Sequence, residues 1–579
     1  MLLQRLKEYS QRLDLPPTLY SEGPLRYIID LDSNGRLLSP TPIDISDPAN
    51  PRTKRGQRRH LPQVVRAAGI KAFLLADKAD YSLGYAGDSG KPERVAQCHR
   101  AFLELLDRCT EETKEPEVFA VQSFLYNNPL AQLKLGEDFD SSGVITFRVN
   151  GTFPIDLPRV QAFWAAVNDP AAKSAPVMQC LICGYDRPAV DRLLGKIKGV
   201  PGGQMAGTSI ISANAEAFES YGLEASLIAP TCADCGERFT KAANDLLASD
   251  QTRIVMGGIA FISWTKEEVG FSLKSLLDVS SPEEVRELIA SVHSGRFSPH
   301  VDDTQFYATS FSASGGRTVV RDWIDTTVKE VKVHLARWFE RQEIVSPWGE
   351  EPRHFRLYAL AAATVRDVNK DLAPPVPRAM LRSALTDAPL PIGIAYQVVR
   401  RVRADRNVTH AQAALLKLVL TSSGIIERED SMVQLNPEHP SAAYQCGRLL
   451  AVLERVQRLA IPGVKAGIVD RFYGTASSAP ASVFGTLMKG VQPHLSKIER
   501  DRPGAYYALQ NRLEDIQSHI SVFPRTLTLQ EQGLFALGYY HQRAFDRAQA
   551  REAAEQRKAG KAAPEAEMFD EEEKNEEDN

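Results

Sequence analysis

A change in hydrophobic periodicity near residue 345 most strongly constrains how this 579-residue chain folds. Before that point, short segments alternate apolar and polar residues, as strands do, and glycine-containing turns separate them. After it, apolar residues recur three and four positions apart and prolines separate the segments, which is typical of helices. The pattern predicts a mixed α+β fold, with an α/β region over residues 1–345 containing several hairpins and an all-α helical bundle over 350–550.

The same periodicity predicts individual elements. Hairpins are predicted over 26–38 and after 144–149, because Asn34-Gly35 and Asn150-Gly151 supply the positive φ angles of two-residue turns. Strands are further predicted at 253–256, 259–264, 306–311 and 317–323, and helices at 100–109, 355–364, 411–420, 444–459, 483–495 and 534–545.

The composition is that of an ordinary globular protein, with 43% hydrophobic and 25% charged residues, which excludes general disorder and fibrous folds. No apolar run approaches the ~20 residues that cross a bilayer, and the N-terminus does not resemble a secretory signal. A cytoplasmic protein is therefore expected. The net charge of −4 hides a mildly basic body, because residues 565–579 contain nine acidic residues and one lysine. Residues 551–579 are expected to form a charged, disordered tail.

Four of the seven cysteines form two Cys-x-x-Cys-Gly pairs, Cys180/Cys183 and Cys232/Cys235. The glycine lets the backbone turn back under two sulfurs, and two such knuckles supply the four thiolates of a tetrahedral zinc site. The 48 residues between the pairs exceed the usual ~15–20, so buried thiols without metal and redox chemistry stay open as alternatives. A four-thiolate site has no open coordination position, so zinc in an insert over residues 180–235 is expected to be structural.

No catalytic motif is present in the sequence. There is no G-x-x-x-x-G-K-[ST] phosphate loop, no H-E-x-x-H and no G-x-S-x-G. The acidic pairs Asp30/Asp32 and Asp302/Asp303 lie in turn-like contexts, where solvated carboxylates are expected. The residues therefore favour a binding protein without enzymatic activity. Two alternatives are a nuclease whose metal site combines dispersed carboxylates and a zinc-bearing assembly factor that contacts only proteins.

Two segments of the α/β region have the charge and backbone freedom to bind DNA. Residues 52–60 carry five cations between proline-rich flanks and are predicted to be an exposed loop. Residues 196–209 are rich in glycine, lie between the cysteine pairs and begin with lysines; a plain solvated linker is the alternative for each segment. The predicted DNA-binding residues are Lys54, Arg55, Arg58, Arg59, Lys71, Lys78, Lys196, Lys198, Gly202, Gly203, Gln204, Gly207, Thr208, Ser212 and Asn214.

Within the second segment, the glycines are expected to let the main chain approach a duplex, and the amide and hydroxyl side chains of Gln204, Ser212 and Asn214 are expected to reach base edges. In the helical half, Arg400, Arg401, Arg403 and Arg406 lie close enough in sequence to form one basic face. That face is either solvated surface or a contact to a nucleic-acid backbone.

Long segments of the chain resemble a known family. They are LQRLKEYSQRL at the start, GIKAFLLADKADYSLGY at 69–85, IKGVPGGQMAGTSIISANAEAFESYG at 197–222, GGRTVVRDW at 315–323, IVDRFYGTASSAPASVF at 468–484 and QGLFALGYYHQR at 532–543. In this order, they resemble the large subunit of the type I-C CRISPR interference complex, Cascade, over nearly the whole chain to about residue 545. The Cys232/Cys235 pair and the acidic tail are not features of every member of that family, so the zinc prediction rests on the cysteine spacing.

The resemblance implies a non-catalytic subunit that reads the protospacer-adjacent motif on double-stranded DNA while a CRISPR guide RNA reads the target by base pairing. It implies that the N-terminal part contacts that motif and the 5′ end of the guide, and that the helical part stabilises the displaced strand of the R-loop. The implied partners are the backbone, guide-5′-end and small Cascade subunits, and a helicase-nuclease recruited after DNA binding, with no membrane. The resemblance also implies a separately translated small subunit, for which Met432 is the candidate start of a 432–579 product.

Overall fold

The computed structural model describes all residues except 14–16, 18, 48–54, 65–68, 88–90, 137, 169–174, 194, 280, 297, 351, 428–431 and 559–579. Its strands are β1 Tyr20–Leu25, β2 Tyr27–Leu31, β3 Ile43–Asp44, β4 Gln57–Pro62, β5 Ala76–Lys78, β6 Val144–Val149, β7 Val177–Gln179, β8 Asp186–Pro188, β9 Arg253–Met256, β10 Ile259–Thr265, β11 Gln305–Ser314 and β12 Arg317–Thr327.

Helices precede, separate and follow these strands. They are α1 Leu2–Ser10, α2 Ala79–Ser82, α3 Pro92–Thr113, α4 Pro116–Tyr126, α5 Pro129–Gln132, α6 Pro158–Val167, α7 Ala233–Ala248, α8 Pro282–His293, α9 Pro299–Asp302, α10 Val328–Gln342, α11 Leu357–Ala362, α12 Val368–Asp371, α13 Pro375–Thr386, α14 Ile392–Asp405, α15 His410–Ser422, α16 Ala442–Ala460, α17 Ile468–Ala476, α18 Phe484–Asp501, α19 Pro503–Ser518 and α20 Leu529–Lys558. The mixed α+β fold with a helical C-terminal half is therefore confirmed.

The chain forms two compact units. The first comprises Met1–Asp245 together with Ala313–Val319, and the second comprises Leu246–Ser312 with Val320–Asn579. The predicted boundary near residue 345 separates strand-rich sequence from helical sequence. The boundaries of the compact units lie elsewhere, because the second unit contains both the second sheet and the helices that follow it. None of the described helices is long and apolar enough to cross a membrane.

The first unit is built around a four-stranded sheet of order β3-β2-β6-β5. β2 and β6 run parallel, with Tyr27 opposite Ile145 and Leu31 opposite Val149. β2 and β6 are largely buried, as expected when helices pack on a parallel strand pair. Helices α3, α4 and α6 contribute Phe102, Phe124, Trp164 and neighbouring side chains to the same core.

Both predicted Asn-Gly turns form and each closes with one antiparallel bridge, Leu31 to Leu37 and Val149 to Thr152, but neither bridge extends into a second strand. Gly35 has a φ of 76° and Asp32 bonds across the turn to Arg36, yet only one bridge, Leu31 to Leu37, follows. Gly151 has a φ of 86°, but the chain continues into a short 3₁₀ helix at Pro154–Asp156 instead of a returning strand. An Asn-Gly turn fixes local backbone angles, and it does not choose the strand partner.

The second sheet has the order β12-β11-β10-β9, a meander in which consecutive strands are neighbours. β9 and β11 cover the strands predicted at 253–256 and 306–311, and β11 turns into β12 at the predicted Ser314–Gly316. Helices after β12 include every helix predicted from periodicity in that part of the chain. Residues 551–558 are predicted to belong to the disordered tail, but they are helical because α20 continues through Lys558. The rest of the predicted tail, 559–579, lies outside the described residues.

Two glycines bring α16 and α20 into backbone contact. A Cβ on Gly447 would lie 2.0 Å from the carbonyl oxygen of Phe535, and one on Gly538 would lie 2.1 Å from that of Tyr444. No side chain fits at such distances. The crossing therefore depends on glycine at both positions, and it lies within the largest apolar core of the second unit.

Buried polar groups fix the register of the same helix pair. Arg448 of α16 donates to Gln542 of α20 at 3.1 Å, and Gln542 donates to Asp546 at 2.9 Å. Asp546 also pairs with Arg455 at 3.0 Å and Arg512 at 2.7 Å. Because leaving any one of these buried groups unpaired is costly, the network admits only one alignment of the helices.

Replacing Gly447 with alanine should strongly destabilise the second unit. The added methyl group would overlap a backbone carbonyl, so the helices must separate, at an expected cost of about 3 kcal/mol or more. Gly490 in α18 is the matched control: it is helical, and a Cβ there would have nothing within 4 Å, so Gly490→Ala should be neutral or stabilising by ~0.5–1 kcal/mol. Hydrogen exchange in peptides covering α16 and α20 measures the effect of each variant. Equal protection in Gly447→Ala and Gly490→Ala would contradict the view that the helix crossing requires glycine at 447.

The buried His541 should make the second unit less stable in mild acid. Complete burial lowers the pKa of His541 to about 3, whereas an unfolded histidine titrates near ~6.5. The unfolded chain thus binds the proton first, and the free energy of unfolding should fall by up to about 1.4 kcal/mol per pH unit as pH decreases from ~6.5 towards 3.

The measurement is the urea midpoint of exchange protection in α16 and α20 at several pH values. His541→Asn should reduce the slope, while His300→Asn, at an exposed position, should leave it at the wild-type value. A slope that is identical in His541→Asn and wild type would show that His541 is not the titrating group.

Candidate metal centre and nucleic-acid interface

The structure brings the four predicted cysteines together. The sulfur atoms of Cys180, Cys183, Cys232 and Cys235 all lie within 4.8 Å of one another. Among the described residues, these four side chains form a cluster that could hold a metal ion. Tetrahedral bonds of ~2.3 Å place sulfurs roughly 3.8 Å apart. The cluster therefore has the donor set and the spacing for a metal ion.

The two cysteine pairs reach the cluster by different routes. Cys180 directly follows β7, and its carbonyl accepts from the amide of Gly184, which has a φ of 78°. This is the predicted knuckle. The second pair lies at the start of α7, where Gly236 is helical and a Cβ would meet Leu193 at 2.7 Å. Glycine at 236 thus serves close packing, and the expectation of a second glycine turn is corrected.

Backbone groups around the cluster favour a negative charge on one sulfur. Burial opposes ionisation of Cys180, but amides of Cys183, Cys232 and Ile182 point at its sulfur and lower its pKa to about 7. Burial and the neighbouring thiols raise the pKa of Cys235. Four clustered thiols cannot all ionise unless a cation compensates their charge, which is the chemistry a divalent metal supplies.

Helix α7 links the cluster to the N-terminal segment. Burial opposes protonation of the Lys7 amine on α1, but Lys7 lies close enough to the cluster that the sulfur of Cys235 raises its pKa. Further along α7, Glu237 accepts from the amide of Leu19 at 3.0 Å, and the carboxylate of Asp245 accepts from Tyr9 at 2.9 Å. Sequence reasoning missed Lys7, because nothing in the spacing of α1 indicates a contact more than 200 residues away.

Helix α7 also holds the glycine-rich segment. The side chain of Asn244 accepts from the amide of Lys198 at 2.7 Å and donates to the carbonyl of Lys196 at 3.0 Å. A two-way backbone bridge between Ile197 and Thr208, with both bonds at 2.8 Å, closes the loop. The segment is therefore a compact, anchored loop and not a plain linker.

The hairpin tip 313–319 supports the other side of this loop. Ser209 donates to the carbonyl of Gly316 at 2.9 Å, and its own carbonyl accepts from Thr318. Thr208 is 1% exposed and its hydroxyl lies 2.5 Å from that of Thr318. The sequence predicts that Thr208 contacts DNA, but its burial gives it an anchoring role instead.

Most of the loop glycines serve internal packing. A Cβ on Gly203 would lie 2.8 Å from Thr208, and one on Gly207 would lie 2.8 Å from the Cβ of Lys196. Gly202, with a φ of 74°, has open space where a Cβ would stand. Gly203 and Gly207 are therefore needed to fold the loop and Gly202 is needed for its positive φ, whereas the expectation that these glycines admit a duplex stays a prediction.

The outer edge of the loop is exposed and basic. Lys196, Lys198 and Gln204 are exposed, and Met205 at the tip is fully exposed. Turns closed by Gly203 to Val200 and Gly207 to Gln204 hold this tip. Cations, an amide and an apolar side chain thus project from one rigid loop.

Beside the loop lies a group that sequence reasoning missed. The guanidinium of Arg317 stands 3.7 Å from the ring centroid of Phe218 and donates to the side-chain oxygen of Asn214. Asn214, predicted to read bases, therefore already has a partner through its oxygen. The sequence signal was an arginine directly after the Gly315-Gly316 turn, where a hairpin presents it at the tip.

The first basic segment is only partly a loop. Lys54 lies outside the described residues, Arg55 is exposed in a turn, and Arg58 and Arg59 lie on β4, which pairs with β1. Arg58 bonds to Glu22 at 3.1 Å and stays 65% exposed. Arg59 pairs with Asp156 and stacks 3.7 Å from the ring of Phe153. The predicted loop is therefore wrong for 57–60.

The remaining predicted residues differ in their settings. Lys78 is exposed at the end of β5, Lys71 is half-buried, and Ser212 is half-buried beyond the loop. Of the four arginines at α14, Arg403 turns inward to Ser477 and Gln532. Arg400 is exposed. Arg401 and Arg406 form ion pairs with Asp405 at 2.8 Å and with Asp470 at 3.5 Å. The four arginines do not form one uniform basic face.

Of the two acidic pairs, the carboxylates of Asp30, Asp32 and Asp302 are bound within their own units. Asp30 binds Arg148 through its carboxylate, and Asp302, which is buried, binds Lys332 at 2.7 Å. Asp32 accepts from the amides of Asn34 and Arg36 in its turn. The expectation of solvated carboxylates is therefore wrong for Asp30 and Asp302, which are ion-paired.

Comparison with known proteins identifies the family. No curated protein matches the chain. The sequence model of the family described as CRISPR-associated protein (Cas_Csd1) matches residues 3–545, nearly the whole chain. The chain belongs to this CRISPR-associated family, that of the type I-C Cascade large subunit.

Proposed function

We propose that this Cascade subunit is non-catalytic and recognises the protospacer-adjacent motif on duplex DNA. The observation that carries the proposal is the anchored glycine-rich loop, which projects Lys196, Lys198 and Gln204 from a rigid base. Its lysines neutralise phosphates, and a guide RNA reads the target sequence by pairing. The protein then helps to open the duplex, stabilises the displaced strand and presents the DNA to a separate helicase-nuclease.

The loop divides phosphate binding from base reading. Lysines bind phosphate as point charges and fix the register of the protein on the duplex, without sequence information. Gln204 carries an amide that can donate and accept at once, which suits the major-groove edge of adenine. Because turns on both sides hold Gln204, little conformational entropy is lost when it meets a base.

The further partners follow from the same proposal. In the assembled complex the guide RNA, the backbone subunits and the guide-5′-end subunit contact this chain, and exposed Arg400 is the α14 residue suited to the displaced strand. The internal product starting at Met432 stays a prediction. Met432 is buried and precedes α16, so a 432–579 product would begin just before the helix that crosses α20.

We also propose that the four-cysteine cluster binds structural zinc. Zinc would be held by Cys180, Cys183, Cys232 and Cys235 and would supply the positive charge that lets their sulfurs ionise together. With every coordination position filled, it would stabilise the start of α7 and the β7–β8 hairpin. Through Asn244, the same helix positions the loop.

Lys196→Ala with Lys198→Ala should weaken duplex binding and lower the slope of log affinity against log salt by about 0.9 per lost phosphate contact. Gln204→Ala should instead change the preference among flanking sequences, by ~1–3 kcal/mol for a base contact. The measurement is a salt-dependent binding assay on the guide-loaded complex with randomised flanking bases.

Arg94, exposed on α3, provides the matched charge control, and Arg94→Ala should retain the wild-type slope. The same samples, incubated with Mg²⁺ or Mn²⁺, should leave the DNA intact if the subunit is non-catalytic. Equal loss of affinity on every flanking sequence would remove Gln204 from base reading, and cleavage by the isolated chain would favour the nuclease alternative.

Elemental analysis should find one zinc ion per chain, and Cys235→Ser should abolish it. Cys98→Ser, at a buried cysteine outside the cluster, should retain the metal. Because α7 begins at the cluster, removing zinc with a chelator should increase hydrogen exchange in residues 177–190 and in the first turn of α7. If removal of the metal left the exchange of residues 177–190 and of the first turn of α7 unchanged, the four cysteines would be better explained as buried thiols without a structural metal.

A further inference from the structure

The outward side of α4 carries two exposed aromatic residues. Phe119 is 61% exposed and Tyr126 is 58% exposed. Gln122 and Ser123 lie between them, so the four residues follow the i, i+3, i+4, i+7 spacing of one helix face. The inward face of the same short helix is fully used, since Val118, Val121 and neighbouring residues are buried in the core. The two exposed aromatics lie outside the apolar core of the unit.

Helix α3 lies beside this face and supplies acid groups. The carboxylate of Asp107 accepts from the amide of Gln122 at 2.7 Å and from the hydroxyl of Tyr126 at 2.8 Å. These bonds hold Tyr126 in one orientation although its ring is exposed. With Glu111 one turn further along α3, the two helices enclose a shallow groove of about 360 Å³ lined by Asp107, Glu111, Phe119, Gln122, Ser123 and Tyr126.

The segment that forms the groove is acidic. Residues 104–117 contain six acidic residues and two basic ones, Arg108 and Lys114. Arg108 lies 3.9 Å from Glu112, and none of the residues that line the groove is a cation. Nucleic-acid phosphates are repelled by such a surface, although residues 1–564 as a whole carry a net positive charge.

We propose that this α3–α4 groove binds a basic amphipathic segment of a partner protein within the Cascade complex. An apolar side chain of the partner packs between Phe119 and Tyr126, and a lysine or arginine pairs with Asp107 and Glu111. Aromatic residues in a pre-oriented groove are the usual energetic centres of protein interfaces, and the same rings attract a cation over their faces. The inference needs a multiprotein complex, and it does not depend on the glycine-rich loop reading DNA.

Site-specific photocrosslinking tests the occupant directly. A photoreactive phenylalanine analogue replaces Phe119 in the full chain, and the complex is assembled with the other type I-C Cascade proteins and a guide RNA. The expected product is a crosslink to one segment of another polypeptide that carries lysine or arginine within a turn of its apolar contact. The same analogue at Tyr507, a 61% exposed aromatic of α19, measures crosslinking from aromatic exposure alone and should give no crosslink to that segment.

A charge reversal then tests the electrostatic part. Glu111→Lys should reduce the Phe119 crosslink at least ten-fold, whereas Glu93→Lys, exposed in the first turn of the same helix, should not change it. An unchanged thermal melt shows that both variants fold. A crosslink to RNA or DNA, a crosslink to a second copy of this chain, no crosslink at all, or full crosslinking in Glu111→Lys would each overturn the proposal.

Discussion

Helix α7 is the element on which the positions of the cysteine cluster and the glycine-rich loop depend. Cys232 directly precedes this helix and Cys235 lies in its first turn, Glu237 holds the N-terminal segment, and Asn244 in the last turns holds the glycine-rich loop. These three attachments are hydrogen bonds or sulfur contacts, and they add to the apolar face of α7, on which Phe239, Ala242 and Leu246 are fully buried. Hydrogen bonds are directional but individually worth only about 1 kcal/mol, so the buried face holds the helix in place and the polar contacts then orient the loop on it.

A metal held by the four cysteines would attach the segment before α7 to the start of that helix, at a place outside the large apolar core. The core of the first unit is built from residues between 19 and 164, whereas the segment from 177 to 232 is largely turns and short bridges. Chains with few buried apolar groups rely on metal sites or disulfides to compensate the entropy of ordering. The second unit has no such need, because its helices share one extensive apolar core and the glycine crossing at Gly447 and Gly538.

Sequence periodicity was sufficient for the elements whose pattern is local. β6, β9 and the helices beyond residue 345 were predicted because each buries a face that alternates or recurs within its own few residues. The partner of β2 was not predictable in this way: it is β6, more than a hundred residues later. Likewise, the cysteine pattern identified the cluster, since thiolate spacing is local, but the roles of Thr208 and Asn214 depend on Thr318 and Arg317, which lie about a hundred residues away. Side-chain type indicates what a residue can bind, and only the folded neighbours decide whether that capacity is already used.

Charge is sorted among surfaces of the first unit, and this sorting has a physical consequence for assembly. A phosphate backbone attracts the basic edge of the glycine-rich loop and is repelled by the acidic α3–α4 groove, at separations up to a Debye length of roughly 8 Å at physiological salt. A uniformly basic surface would bind nucleic acid in many orientations. Two surfaces of opposite sign leave few orientations in which the loop meets DNA while the aromatic residues Phe119 and Tyr126 remain available to a protein. Repulsion removes wrong arrangements as effectively as attraction favours the right one. If the loop binds DNA as proposed, the acidic groove would therefore help to orient it without touching the DNA.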